Sequence, residues 1–387
     1  MFKTSAISSL SISILMFSLC TFASDVTVKP LDQPAIFKQL NTALSYFDET
    51  SVLPDAKWFS RDKSSANKDL DETINEVIQL LDAPEIGRSR INYRILEQKT
   101  IQEYNEIARL QEQRLFAPSG EATFIADNVP FAKVKEWTAK TRGDFDALIA
   151  LRKDNIATHK ESMNAILLDM QKLFYSMGIE FDAEQIEVWL SSVVGDSVLS
   201  MSVVFNSIKQ ITQQLEVATV DSGENLSFAK RYYGMVVILH KLMLKMQTDF
   251  LTTIDNAYLP KLVNFKNEAN AVIKESEKLL RSGGNRETLE LNIQSNKMTI
   301  KVIDLYASLL KEQRSKIFEA MQITQREYEV SNNTYKTVNL SSQVSQLIKQ
   351  GRNTFQTLIN LQIPSAQPFQ NEEMKEQFRL LSQRLNN

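Results

Sequence analysis

The chain has two imidazoles, His159 and His240, and both fall in stretches patterned for long helices. A histidine pair could hold a metal ion or sense pH near neutrality. Neither residue carries the spacing that such chemistry needs. There is no HxxxH or HExxH, and the positions three residues before them are Ile156 and Val237 rather than glutamates. The expected role of each is packing in or beside an apolar seam.

Carboxylates cluster at Asp69, Asp71, Glu72 and Glu76, at Asp182, Glu184 and Glu187, and at Glu372, Glu373 and Glu376. Paired carboxylates can do acid–base work or hold divalent cations. In helical sequence the simpler expectation is a solvated face or a first-turn charge at a helix N-terminus. No EF-hand loop, P-loop, GxGxxG or GxSxG pattern occurs. Arg142-Gly143-Asp144 spells an adhesion tripeptide, but it opens a helical stretch, where Asp is favourable on its own account. These readings predict no enzyme activity, no cofactor and no metal.

Two groups of side chains suit contact rather than catalysis. Methionines at Met163 and Met170 recur on one helical seam and could adapt to a partner surface. Trp58, Phe59, Phe124 and Trp137 lie in stretches read as loops and could form an exposed contact. Packing within the chain competes with both ideas.

These residues need elements to position them, and the composition says which. Ten glycines and nine prolines in 387 residues leave few breakers, and Glu, Gln, Lys, Leu, Ala and Ile dominate. The expected class is all-α, an elongated bundle of long antiparallel helices with coiled-coil hairpins. Charged residues make up 24% and the net charge is −3. That balance argues against nucleic acid as the main partner, since phosphate binding needs a basic surface.

The N-terminus, MFKTSAISSLSISILMFSLCTFASDV, reads as a signal peptide over residues 1–23. One lysine precedes an apolar, serine-rich core, and Thr21 and Ala23 suit peptidase cleavage. Losing Lys3 takes the net charge from −3 to −4. An uncleaved anchor and a lipid on Cys20 are the alternatives, although Leu19 is not the small residue that lipidation favours. Cleavage after Ala23 would leave no cysteine. Export to the periplasm follows as the expectation, with no membrane span in the mature chain.

Residues 24–33 read as an extended tether, 34–180 as N-terminal helices and a long hairpin, and 181–363 as a central and C-terminal bundle. Residues 364–387 form a Pro-containing segment and a last helix. Within the first bundle, Ile91, Ile95, Ile101, Tyr104, Ile107 and Leu110 are the expected seam of a helix over 86–115. Phe145, Leu148, Arg152, Ile156, His159, Met163, Ile166, Met170, Leu173 and Met177 step by three or four along the next. Gly178, Pro260 and Ser282-Gly283-Gly284-Asn285 mark stops or breaks.

The stretch 188–209, VWLSSVVGDSVLSMSVVFNSIK, could be a span, a strand or a buried helix. A central Asp costs about 2.5–3.5 kcal/mol on insertion, against about 0.3–0.6 kcal/mol gained per apolar residue. Asp196 and six serines therefore disfavour a span. The 4-3-4-3 seam from Val194 through Leu215 favours a helix, with Gly195 ending one helix and Asp196 capping the next. The functional expectation is an exported helical scaffold or adaptor of the bacterial envelope, acting on an unidentified protein partner, with oligomer formation left open. The alternative is a helical module holding a ligand or lipid in an apolar cavity.

Overall fold

The computed structural model describes residues 31–55, 61–122, 139–222, 226–340 and 372–386. The signal peptide, Cys20, Trp58, Phe59, Phe124 and Trp137 lie outside the described residues, as do most of the tether and the segment 341–371. Every regular element among those described is helical: α1 (Gln33–Val52), α2 (Lys63–Leu81), α3 (Pro84–Phe116), α4 (Arg142–Ser176), α5 (Ala183–Ser191), α6 (Gly195–Asp221), α7 (Leu226–Thr253), a π-helical turn (Ile254–Tyr258), α8 (Leu259–Arg281), α9 (Arg286–Leu340) and α10 (Glu372–Asn386). The all-α expectation holds, and no described helix is long and apolar enough to cross a membrane.

Local chemistry sets the ends of these helices. Asp62 caps α2 by accepting from the Ser65 N–H at 2.8 Å. Thr141 and Asp144 close a reciprocal capping box on α4. At the other end of α4, Gly178 adopts φ +80°, and the Ile179 and Gly178 N–H groups return to Phe174 O and Tyr175 O. Gly283, at φ +89°, closes α8 in the same way, with Gly284 and Gly283 bonding to Leu279 O and Leu280 O.

One main core draws on Ile36, Leu70, Phe174, Trp189, Leu239, Tyr306 and Leu385. It therefore crosses the boundary expected near residue 180, because α1 and α2 pack against α6 and α7 rather than against their own hairpin alone. The stretch 188–209 lies at its centre. Val198, Leu199, Met201, Ser202, Val203, Val204 and Phe205 are all buried on α6, so this segment is a helix enclosed on several sides. Ser200 donates to Asp82 Oδ2 at 2.8 Å and Ser207 to Leu81 O at 2.9 Å, pinning α6 to the end of α2. Ser197 on the same helix is exposed.

The expected junction needs one correction. α5 ends at Ser191 and α6 starts at Gly195 with Val194 in the N-cap position and no side-chain cap. Asp196 is in the first turn instead, where Arg94 donates to Oδ1 at 3.1 Å and Arg90 donates to its backbone O at 2.7 Å. Two guanidiniums on α3 outcompete the backbone for it.

Two hairpins leave this body. α3 and α4 run antiparallel, and their distal halves share a separate small core of Ile107, Leu110, Phe145, Leu148, Ile149 and Ile156. Glu103 fixes their register by accepting from Arg152 at 3.1 Å and Asn155 at 3.0 Å. α8 pairs with the first part of α9 to form the second hairpin. The break expected near Tyr258 takes the form of the π turn, with the Leu259 N–H bonded to Ile254 O. Pro260 has no N–H to offer, and the wider turn absorbs the mismatch. The buried seam shows the inserted residue directly: Gln247, Ile254, Leu262, Ala269 and Ser276 are spaced 7, 8, 7 and 7. Asn332-Asn333 does not interrupt α9. It continues to Leu340, because Ser331, Tyr335 and Val338 stay on its buried face.

Candidate functional site

The apolar spacing of α3 misplaces its inner face. Ile107 and Leu110 are buried as expected, but Ile91 and Ile95 are 59% and 44% exposed. The face turned inward carries Ile86, Tyr93, Glu97, Thr100, Ile107 and Leu110. Two polar residues thus occupy seam positions near the root of the hairpin. They do so because another helix closes over them there.

That helix is α10. Its Phe378 ring stacks on Tyr306, with centroids 3.9 Å apart and planes at 26°. A directed chain of hydrogen bonds fixes it: the Val193 N–H donates to Tyr306 Oη at 2.8 Å, Tyr306 pairs with Ser382 Oγ at 2.8 Å, and Ser382 donates to Ser191 O at 2.5 Å. Lys261 Nζ holds the last turn through Leu385 O at 2.8 Å. Phe378, Leu381 and Leu385 are buried, as the sequence spacing predicts; Met374 is half-buried.

Between α10, α5 and the root of the first hairpin lies an open cleft of about 510 Å³. α3 contributes Tyr93, Glu97, Thr100 and Tyr104; α4 contributes Lys160, Met163, Asn164 and Leu167. Glu184 and Glu187 come from α5, and Glu372, Lys375, Glu376 and Arg379 from α10. Two acidic clusters that read as separate solvated faces therefore meet in one place. Lys375 Nζ contacts Glu187, and Tyr93 donates to the same carboxylate at 3.4 Å. Arg379 is held bidentately by Glu376, with its Nε 3.6 Å from Glu97.

Glu97 is the unusual member, with 7% of its surface exposed. Burial raises its carboxyl above the ordinary range, although Arg379, Arg94 and Lys375 pull the other way. Burial also raises the Tyr93 hydroxyl, reinforced by Glu187 and Glu97. The site therefore holds a buried carboxyl paired with Arg379 and flanked on its own helix by two phenols, with Arg379 Nη1 buried beside it without a hydrogen-bond partner among the described residues.

Other candidate residues have structural roles. Met163 lines the cleft wall, whereas Met170 is fully buried in the main core and packs rather than faces a partner. Asp144 is fully buried, and its Oδ2 accepts from the Lys140 and Thr141 N–H groups at 2.9 Å, so the tripeptide 142–144 is part of a helix cap. Asp69 pairs with Arg61 at 2.7 Å, and Glu76 accepts from Gln39 at 3.0 Å, both at the surface. His159 is half-buried, and His240 is buried against α7's own backbone. Among the described residues no group of three or more His, Cys, Asp and Glu side chains is arranged to hold a metal ion. Sequence reasoning passed over Tyr93, Glu97, Lys375 and Arg379. The available signal was polar residues at seam spacing on α3, which reads as a gap until α10 is seen to cover it.

A scan against protein-family models finds no match to this chain, and comparisons with curated proteins and with solved structures find none.

Proposed function

We propose that this chain is an exported, non-enzymatic helical scaffold or adaptor of the bacterial cell envelope, acting through protein contacts along its long helices. The observation that carries this reading is the pair of hairpins standing out from one body. α3 and α4, at 33 and 35 residues, are each about 50 Å long at 1.5 Å per residue. The outer faces of the hairpins leave large apolar side chains exposed, Phe116 at 85% near the end of the first, and Leu279, Leu291 and Met298 at 46–59% on the second. These exposed side chains along the hairpins support the contact reading. The signal-peptide pattern at residues 1–23 supplies the compartment.

One preparation tests both parts. The full chain is expressed in a Gram-negative host and recovered from the periplasm. The N-terminus is expected at Ser24, and the radius of gyration by solution scattering well above the roughly 21 Å of a compact chain of this size. Retention in the cytoplasm with residues 1–23 intact, or a radius near 21 Å, would sink the proposal.

The second reading, a ligand-binding module, is favoured by the cleft beside Met163. The cleft differs from the enclosed apolar cavity that a lipid would need, since five glutamates, two lysines and an arginine line it. A small polar ligand suits it better.

A further inference from the structure

We propose that the groove beneath α10 is a docking site for a basic amphipathic helix of a protein partner, and that α10 occupies it as a strap that opens. The inference adds a defined docking surface to the contact reading, and it depends on neither export nor overall shape.

The groove is built by the body alone. Tyr306 is its floor, held in place by the Val193 N–H at 2.8 Å. Tyr258 Oη donates to Val193 O at 3.4 Å and steadies the same corner. On the wall, Tyr93 donates to Glu187 at 3.4 Å. None of these bonds involves α10, so floor and wall keep their anchors when the helix leaves. A surface ordered in advance loses little entropy on binding.

α10 itself shows what the groove accepts. Phe378, Leu381 and Leu385 follow at steps of three and four and are buried as one stripe, the spacing by which grooves recognise helices. Three cations accompany the stripe, each opposite a carboxylate on a different helix of the body. Lys375 meets Glu187 on α5, Arg379 meets Glu97 on α3 at 3.6 Å, and Arg384 meets Glu268 on α8 at 3.5 Å. At the far end Lys261 donates to Leu385 O at 2.8 Å, a cation on the C-terminal carbonyls of the helix. The groove thus selects basic residues along the helix and fixes its direction.

Two features make α10 replaceable. It joins α9 through residues 341–371, a stretch of 31 residues with a contour length of roughly 100 Å, whereas short turns tie α2 to α3 and α8 to α9. Its fit is also incomplete. The cleft of about 510 Å³ stays open along its edge, and Arg379 Nη1 is buried there without a hydrogen-bond partner among the described residues. A buried donor left unmatched weakens docking. A partner helix that fills the cleft and supplies an acceptor would bind the groove better than α10 does.

The probe is a fluorescent peptide of residues 372–386 added to the full chain. In the parent it competes with tethered α10, whose effective concentration is about millimolar. Phe378→Ala in the chain loosens the strap, and the peptide should then bind at least about 50-fold more tightly. The same substitution in the peptide should abolish that binding. Arg379→Glu in the peptide should weaken it at least about ten-fold, because two carboxylates would then meet at Glu97. Hydrogen exchange on the unaltered chain needs no variant: α10 amides should exchange at least about 100-fold faster than those at the centre of α6. Equal affinity of the peptide for parent and variant, no binding to the variant, or equal protection of α10 and α6 would each overturn the proposal. So would a dimer of the parent that Phe378→Ala removes, since the groove would then belong to the α10 of a second copy.

Discussion

Replacing Gly195 with alanine is expected to lower folding stability by about 3 kcal/mol or more, at the upper end of the usual cost of overpacking. An added Cβ would stand 1.6 Å from Trp189 O and 2.4 Å from its carbonyl carbon. Both are backbone atoms, so no rotamer change relieves the clash. The turn cannot swing outward either. Trp189 is fully buried, and Leu190, Val193 and Val194 around it are at most 7% exposed. The same turn carries the Val193 N–H that anchors Tyr306, so a displaced backbone would also loosen α10. Urea unfolding checks the prediction through the midpoint, with the slope unchanged. Helix propensity alone predicts the opposite sign, a gain of roughly 0.5–1 kcal/mol for alanine over glycine. A variant as stable as the parent would show that the α5–α6 corner is not packed as described.

The second large effect concerns pH. His240 is 1% exposed, its Nδ1 lies 2.9 Å from Val236 O, and its Nε2 has no partner among the described residues. Burial holds the imidazole neutral, lowering its pKa from 6.5 to about 4. In the unfolded chain the ring takes up a proton once pH falls below its ordinary value. In the folded chain it does so only near pH 4. Stability is therefore lost as pH falls from about 6.5 and levels off below about 4, with a total of roughly 3 kcal/mol. Carboxylates titrate in the same window, so the quantity to measure is the difference between the parent and His240→Leu. The parent's denaturation free energy should fall more steeply between pH 7 and 4, and the variant should lack that extra slope. Parallel curves would mean that His240 is reached by water or by a proton acceptor in the folded state.

Most of the helical plan could be read from the residues, for definite reasons. Gly178 and Gly283 supply the left-handed backbone that ends α4 and α8, and each stands where an apolar seam stops. Pro260 announced a break because its missing N–H must be accommodated wherever it stands in a helix. The candidate site was not legible in this way. Glu97, Glu187 and Arg379 lie far apart in the sequence and meet because Phe378, Leu381 and Leu385 dock α10 onto Tyr306 and α5. Periodicity shows that α10 has an apolar face, but not which surface that face covers. Ile91 and Ile95 misled for the same reason, since a long helix with apolar residues on two faces does not reveal which face another helix covers.

The one extra residue in the π turn has a consequence for how this molecule can change in length. α9 carries buried residues in one heptad phase, Leu289, Ile303, Leu310, Ile317, Thr324, Ser331 and Val338, with half-buried Asn296 filling the position between the first two, and it keeps that phase from the second hairpin into the body. The opposing seam matches that meter only through the eight-residue step from Ile254 to Leu262. The hairpin is thus a graduated rod whose divisions are seven residues, about 10 Å, long. Whole divisions added on both sides of the Gly283-Gly284 turn would extend its reach and leave the body untouched. Loss or gain of a single residue between Ile254 and Leu262 would instead rotate every division beyond it out of phase.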